Sequence, residues 1–258
     1  MQPPQQLTPS RSVIVTGAAQ GLGLAIARRF AATGSRVLLV DVNPTVLSHL
    51  EGGDLPQGQC FALVCDLKDP GAARAVFACA AEKLGTVDTL INNAAWSFHR
   101  SFLETTVEDF DQVVAVNQRT PFFLSQEMIR QISNSAGQVN DPVVVNIASV
   151  NALAGNPRLV AYAGTKGALV AMTRAMAVEM APQGVRVVSI SPGAVDTPVA
   201  QKVALESDVD EGHRFDKFLI KRYTTCEEIA ELAWFLCTPA CACVTGANWV
   251  IDGGYLAQ

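Results

Sequence analysis

The sequence predicts a single α/β domain, a doubly wound parallel sheet of seven strands with helices on both faces. Three observations carry that prediction. Short Val- and Ile-rich runs alternate with longer Ala-rich segments of helical spacing along the whole chain. The short runs are continuously apolar, which is the pattern of parallel strands covered on both faces. A glycine-rich turn leaves the first run and leads directly into the first helical segment.

The elements follow in order. A first strand is predicted over residues 12–16 (SVIVT) and a first helix over 22–33. The RVLLV run at 36–40 gives the second strand, and 59–65 (QCFALVC) the third. An Ala-rich helix over 70–84 precedes a fourth strand over 87–91, and a long helix spans 107–133. The fifth strand, 142–148 (PVVVNIA), is followed by a helix over 162–180 and a sixth strand over 185–190. A last helix over 227–237 and a last strand over 248–251 complete the set. Strands and helices in that alternation are joined by right-handed crossovers. At 258 residues the chain can bury about 70–75% of its unfolded surface, so no disulfide or metal staple is needed.

Residues 1–11, rich in Pro and Gln, read as a flexible tail without the basic start and apolar core of a secretory signal. The domain is expected over 12–258. Its one unusual connection is 199–222, polar, with five acids and five bases, a length typical of a substrate lid and also of a surface insertion.

Composition excludes several classes. The formal charge is −5, from 24 acidic and 19 basic residues, and no run of Lys and Arg offers a nucleic-acid surface. The most apolar long stretch, 160–181, is interrupted by Lys166, Arg174 and Glu179 and is not a membrane span. A cytoplasmic protein is expected. The odd count of seven cysteines is scattered, and the group Cys237, Cys241 and Cys243 lacks both a CxxC pair and a nearby histidine. His49, His99 and His213 show no ligand spacing, so no metal is expected.

The turn after the first strand reads Gly17-Ala-Ala-Gln20-Gly21-Leu22-Gly23. Glycines there allow a tight turn and close approach of a pyrophosphate to a helix N-terminus. No Lys-Ser or Lys-Thr follows, which excludes a nucleotide triphosphatase loop. The second strand ends at Asp41, eighteen residues after Gly23. An acid there accepts hydrogen bonds from a ribose hydroxyl and repels a 2′-phosphate; with Gln20, Val42 and Asn43 nearby and Arg36 at the far strand end, NAD is favoured over NADP.

Tyr162 and Lys166 are four residues apart on a predicted helix and therefore share a face. An ammonium beside a phenol favours phenolate, and such a tyrosine can exchange a proton with a hydroxyl or carbonyl oxygen. Ser149 stands just past the fifth strand, at the rim where α/β sheets bind ligands, and a turn or cap serine is the plain alternative.

Taken together, these motifs resemble the short-chain dehydrogenase/reductase family over nearly all of residues 12–255. They are TGAAQGLG from Thr16 to Gly23, Asp66 after the third strand, NNAA from Asn92 to Ala95, and Asn117 in the long helix. Ser149, the YAGTK run from Tyr162 to Lys166, PGAVDT from Pro192 to Thr197, the Val244-Thr-Gly246 run and Asp252-Gly-Gly254 complete them. The resemblance implies a Rossmann-type fold and an NAD(H)-dependent oxidoreductase interconverting a secondary alcohol and a ketone. It implies Tyr162 as general acid/base, Ser149 polarising the substrate oxygen, and Lys166 lowering the Tyr162 pKa and holding the nicotinamide ribose. Asn117 would anchor a water relay to Lys166. Gly17, Gln20, Gly21, Leu22, Gly23, Asp41 and Leu67 would contact the cofactor, with Asp66 towards the adenine, Asn93 near the adenosine ribose, and Val195 and Thr197 on the nicotinamide side. Two departures stand out: NNAA for NNAG adds a methyl at Ala95, and Thr224 and Cys226 replace the more usual Gly and Pro.

Residues 96–102, 150–159 and the 199–222 segment are expected around the substrate, with Trp96, Phe98 and Phe102 as apolar walls or as core. The segment's cancelling charges favour a neutral small-molecule alcohol or ketone. The alternatives are an NADPH-dependent 3-oxoacyl carrier-protein-type ketoreductase, opposed by Asp41 and the acidic charge, and an NAD(H)-binding sensor without turnover, opposed by the complete Asn117, Ser149, Tyr162, Lys166 set. The resemblance also implies a homodimer or homotetramer through the long helices. Ala168, Ala171 and Ala175 suit either close packing between helices or packing on the chain's own sheet.

Overall fold

The computed structural model describes residues 10–135, 139–198 and 215–258. Each predicted strand forms: β1 Ser12–Thr16, β2 Arg36–Asp41, β3 Cys60–Val64, β4 Thr89–Asn92, β5 Val143–Ile147, β6 Arg186–Pro192 and β7 Asn248–Ile251. They make one sheet in the order β3-β2-β1-β4-β5-β6-β7. Every neighbouring pair is parallel. Strand order reverses between β1 and β4, and the crevice beyond their carboxyl ends is where such sheets bind ligands.

The helices are α1 Gly21–Ala31, a single turn α2 Ser48–Glu51, α3 Ala72–Lys83, α4 Val107–Val114, α5 Thr120–Asn134, α6 Val160–Met180 and α7 Cys226–Leu236. Successive side chains of a strand point to opposite faces, so a strand apolar at every position serves two cores. In β1, Val13 and Val15 join Ile26, Phe30, Ile229 and Leu236 beneath α1 and α7. Ile14 joins Val76, Phe77, Leu124 and Met128 beneath α3 and α5 on the other face.

One predicted element is corrected. The helix expected over 107–133 is two helices joined by a π-helical turn, Ala115–Arg119. Pro121 has no N–H to give the Asn117 carbonyl four residues back, so the α-ladder cannot run through. The ladder widens instead. The Thr120 N–H reaches the Ala115 carbonyl five residues back. The Thr120 hydroxyl donates to the same carbonyl at 2.9 Å. Asn117 lies inside this turn and is completely buried.

The amino ends of the strands are tied by charge. Arg11, the last residue of the stretch expected as tail, is buried and pairs with Asp88 at 3.3 Å and Asp141 at 2.8 Å. Buried Arg186 grips Asp141 through Nε at 2.6 Å and Nη2 at 2.8 Å. Among the described residues no helix is long and apolar enough to cross a membrane. All seven cysteines are free thiols. Burial pushes Cys60 up to about 11 and Cys237 up to about 12, which keeps both protonated at neutral pH.

Candidate active site

The site is assembled at the carboxyl ends of the strands. Gly17 has φ +67°, and a Cβ on it would lie 2.8 Å from the Cα of Ala94. A Cβ on Gly23 would lie 2.1 Å from the Gly17 carbonyl oxygen. The turn thus closes on itself only because both positions lack side chains. Asn93 locks it from β4, donating Nδ2 to the carbonyls of Thr16 at 2.8 Å and Gly17 at 3.1 Å. Helix α1 then starts at Gly21 with no side-chain cap from Gln20 and no acid in its first turn. Its leading N–H groups and dipole present an anion site. Thr197, beyond β6, comes to the same place: its Cγ2 is 3.5 Å from a Cβ built on Gly21. Val195 is held nearby by a parallel bridge to Thr224.

Asp41 ends β2 beside this turn. Its Oδ2 accepts from the Ala19 N–H at 2.9 Å and its Oδ1 from the Asn43 N–H at 2.9 Å. The carboxylate therefore orders the turn. On the β3 side Asp66 is exposed and accepts from the Lys68 N–H at 2.9 Å. The Leu67 side chain is buried in the core under α3, so a cofactor contact there would be made by its main chain. Asn93 differs from the expectation in part, because its amide hydrogens are committed to the turn.

At the other end of the crevice α6 lays Tyr162 and Lys166 on one face against β5. The Lys166 ammonium lies 5.6 Å from the Tyr162 ring centroid. Ser149, buried just after β5, stands close enough to Tyr162 to favour its phenolate. Lys166 is 2% exposed and donates Nζ to the Ile147 carbonyl at 2.6 Å. The expected lowering of the Tyr162 pKa is not what this chain alone produces. Burial disfavours both charged forms, pushing Lys166 down to about 7 and Tyr162 up, with only the nearby Ser149 acting the other way.

Asn117 does not touch Lys166. Its Oδ1 accepts from the Trp96 N–H at 2.7 Å, and its Nδ2 donates to the Trp96 carbonyl at 2.9 Å and the Thr165 hydroxyl at 3.2 Å. It pins the loop after β4 to α6 next to the Tyr162–Lys166 turn. The same loop is tied to 150–159 where the Arg100 N–H donates to the Arg158 carbonyl at 3.2 Å. Trp96 and Phe102 are exposed, 47% and 70%, and so are not core. Of the expected lid, 199–214 lies outside the described residues. Its end is anchored: Phe218 packs on Tyr255 at 5.1 Å and the Ile220 N–H donates to the Gly253 carbonyl at 2.9 Å.

His49 and Tyr255 escaped the sequence reading, as did the bonds of Asn151 and Asn156 within the expected 150–159 segment. His49, from α2, hydrogen-bonds the Ala19 carbonyl at 2.8 Å with Nε2. Asn151, Asn156 and Tyr255 connect to Ser149. None has a spacing signal, because each reaches its partner through a turn or a distant segment. Asp252, within the quoted Asp252-Gly-Gly254 motif, holds the Gly254 and Leu256 N–H groups at 2.8 and 2.9 Å.

The family model described as enoyl-(acyl carrier protein) reductase matches residues 17–256. Meso-2,3-butanediol dehydrogenase from Serratia marcescens is 33% identical, covering 96% of each chain. A solved 4-hydroxyisoleucine dehydrogenase complexed with NADH superposes with a TM-score of 0.87 at 27% identity, over 95% of this chain and 98% of that one. A putative 2-deoxy-D-gluconate 3-dehydrogenase from Agrobacterium tumefaciens with bound NADP superposes at 0.86 with 30% identity, over 98% and 100%.

Proposed function

The chain belongs to the short-chain dehydrogenase/reductase family, an oxidoreductase interconverting a secondary alcohol and a ketone with a nicotinamide cofactor, and we propose that its cofactor is NAD(H) and its acid/base Tyr162. The observation that carries this reading is the seat of Lys166, 5.6 Å from the Tyr162 ring and hydrogen-bonded to the Ile147 carbonyl two residues before Ser149, at the same strand ends as the glycine cradle.

The residues present fit such a cofactor. A pyrophosphate suits the uncapped start of α1, where a Cβ at Gly17 or Gly23 would close the turn. Asp41 suits a ribose diol and repels a 2′-phosphate. When bound, the nicotinamide takes or gives the hydride. The protein's share is proton handling and position. Ser149 donates to the substrate oxygen, and Tyr162 takes the hydroxyl proton in oxidation or returns it in reduction. Lys166 supports the phenolate when it is charged and holds the nicotinamide-side ribose. Asn117 keeps α6 and the 96–102 loop in register, and Trp96 and Phe102 give a neutral substrate its apolar walls.

We also infer a homo-oligomer of cytoplasmic location, paired through α4, α5 and α6. Val107, Phe110, Phe122, Phe123 and Val178 are exposed there. Ala171 and Ala175 are likewise on the outer face, not against the sheet.

The test is a titration with NADH and NADPH followed by tryptophan fluorescence, then NAD⁺ reduction with meso-2,3-butanediol and simple secondary alcohols. Tight NADH binding, weak NADPH binding and turnover abolished by Tyr162→Phe support the reading. NADPH preference would move a carrier-protein ketoreductase to first place, and binding of neither would sink the catalytic assignment.

A further inference from the structure

Ser149 Oγ accepts two hydrogen bonds from one residue, the Asn151 N–H at 3.1 Å and Asn151 Nδ2 at 3.2 Å. Asn151 Oδ1 in turn accepts from Asn156 Nδ2 at 2.6 Å. Asn156 Oδ1 accepts from the Tyr255 hydroxyl at 3.2 Å. The turn after β5, the loop before α6 and the C-terminal turn thus build one row in which each side-chain donor points towards Ser149. Tyr255 heads the row and is itself packed on Phe218 at 5.1 Å.

A hydroxyl has two acceptor sites and one hydrogen. With both acceptor sites of Ser149 taken by Asn151, its hydrogen is left for Tyr162 and the reacting oxygen. We propose that Asn151 is a positioning residue that makes Ser149 an obligate donor towards the reacting oxygen, and that Asn156 and Tyr255 fix the sense of the Asn151 amide. A reversed amide would present Oδ1 to Ser149 and draw the hydrogen away from the site. A donor aimed in advance at an oxygen that gains negative charge is worth most in a buried site, and donors in series strengthen one another. The inference rests on the reading of Ser149 and Tyr162 as the reacting pair and adds a residue that pair requires.

Two substitutions separate orientation from packing. Asn151→Ala keeps the backbone bond and removes the amide. Asn151→Asp keeps the shape but places an acceptor on Ser149. The chain has three tyrosines, so incorporation of 3-fluorotyrosine gives three ¹⁹F signals, with Tyr162 assigned by Tyr162→Phe. The ionisable neighbour of the Tyr162 ring is Lys166, 5.6 Å away. The expected result is an upward shift of the Tyr162 titration midpoint in Asn151→Ala and a larger one in Asn151→Asp. With meso-2,3-butanediol, kcat falls about 10-fold in the first and about 100-fold in the second, while NADH affinity and melting temperature stay close to wild type. An unmoved midpoint in both variants overturns the proposal, as does an Asp variant nearer to wild type than the Ala variant. Absence of turnover in the wild type would count against the substrate reading alone, since the ¹⁹F midpoint needs no substrate.

Discussion

The Lys166 ammonium donates to the Ile147 carbonyl at 2.6 Å from a position only 2% exposed, which makes it one of the largest fully buried side chains of the protein. A strand-end carbonyl is a single dipole and does not replace the hydration of a full charge. The folded protein therefore prefers Lys166 neutral, with its pKa at about 7 against an ordinary 10.5. Between those values the unfolded chain holds one proton more than the folded one, so stability rises with pH across that window by up to ~1.4 kcal/mol per pH unit. Below about 7 both states are protonated and the contribution is flat. Urea denaturation at pH 7.5 and 9.5 should show this gain in the wild type and its loss in Lys166→Met. Equal pH slopes in the two proteins would mean that the buried amine stays charged.

A methyl on Gly23 would meet the Gly17 carbonyl oxygen at 2.1 Å, a distance no side-chain adjustment can relieve because both groups are main chain or attached to it. Gly23→Ala should force the turn open, cost about 1–3 kcal/mol and weaken NADH binding at least 10-fold. Gly164, exposed on α6 with nothing within 4 Å of a built Cβ, is the contrast. Gly164→Ala should stabilise the helix by about 0.5–1 kcal/mol. Melting curves with and without NADH measure both effects, and similar behaviour of the two variants would remove the turn from the binding argument.

The strands are legible in the sequence because β1, β2 and β5 are apolar on both faces, and Ser12–Thr16 and Asn248–Ile251 fall at their predicted limits. Tyr162 and Lys166 are legible because a four-residue helical spacing is itself a geometry. The break at Ala115–Arg119 is written in Pro121 and still passes unread, since the apolar period continues on both sides of it. At Leu67 the motif names a cofactor contact, but only packing tells that its side chain turns into the core under α3. The 150–159 segment is legible as substrate surroundings, but its link through Asn156 to Tyr255 is not, because that contact spans ninety-nine residues of sequence. The sign of the Tyr162 pKa is likewise a property of burial, which spacing does not report.

Asp41 has two tasks that a substitution can separate. Its oxygens order the turn through Ala19 and Asn43, and its charge is proposed to read a ribose. Asp41→Asn removes the charge and keeps one of the two turn hydrogen bonds, since its amide nitrogen cannot accept. The ratio of NADPH to NADH dissociation constants should then fall at least 10-fold, chiefly through tighter NADPH binding, about 1.4 kcal/mol or more. Asp41→Ala should weaken NADH as well, because the Ala19 and Asn43 N–H groups lose their acceptor. Fluorescence titrations of the three proteins decide it. An unchanged ratio in the Asn variant would show that the carboxylate does not read the ribose.

Asp141 closes the amino end of the sheet, with φ +47° and two arginines, Arg11 and Arg186, on its carboxylate. Both guanidinium groups are nearly inaccessible, with side chains 7% exposed, so removing the acid leaves Arg186 with main-chain carbonyls alone and Arg11 with Asp88 as its remaining acidic partner. Breaking such a network by deleting one partner costs about 3–5 kcal/mol. Asp141→Ala adds the strain of a positive φ that asparagine tolerates and alanine does not. The order of stability in urea should therefore be wild type, then Asn, then Ala. The active-site crevice lies at the opposite ends of the strands, so NADH affinity of the folded variants should stay within twofold of wild type. Loss of stability without loss of affinity would identify the cluster as a clamp on the amino ends of β1, β4, β5 and β6. Equal stability of all three proteins would show that solvent, not Asp141, compensates the arginines.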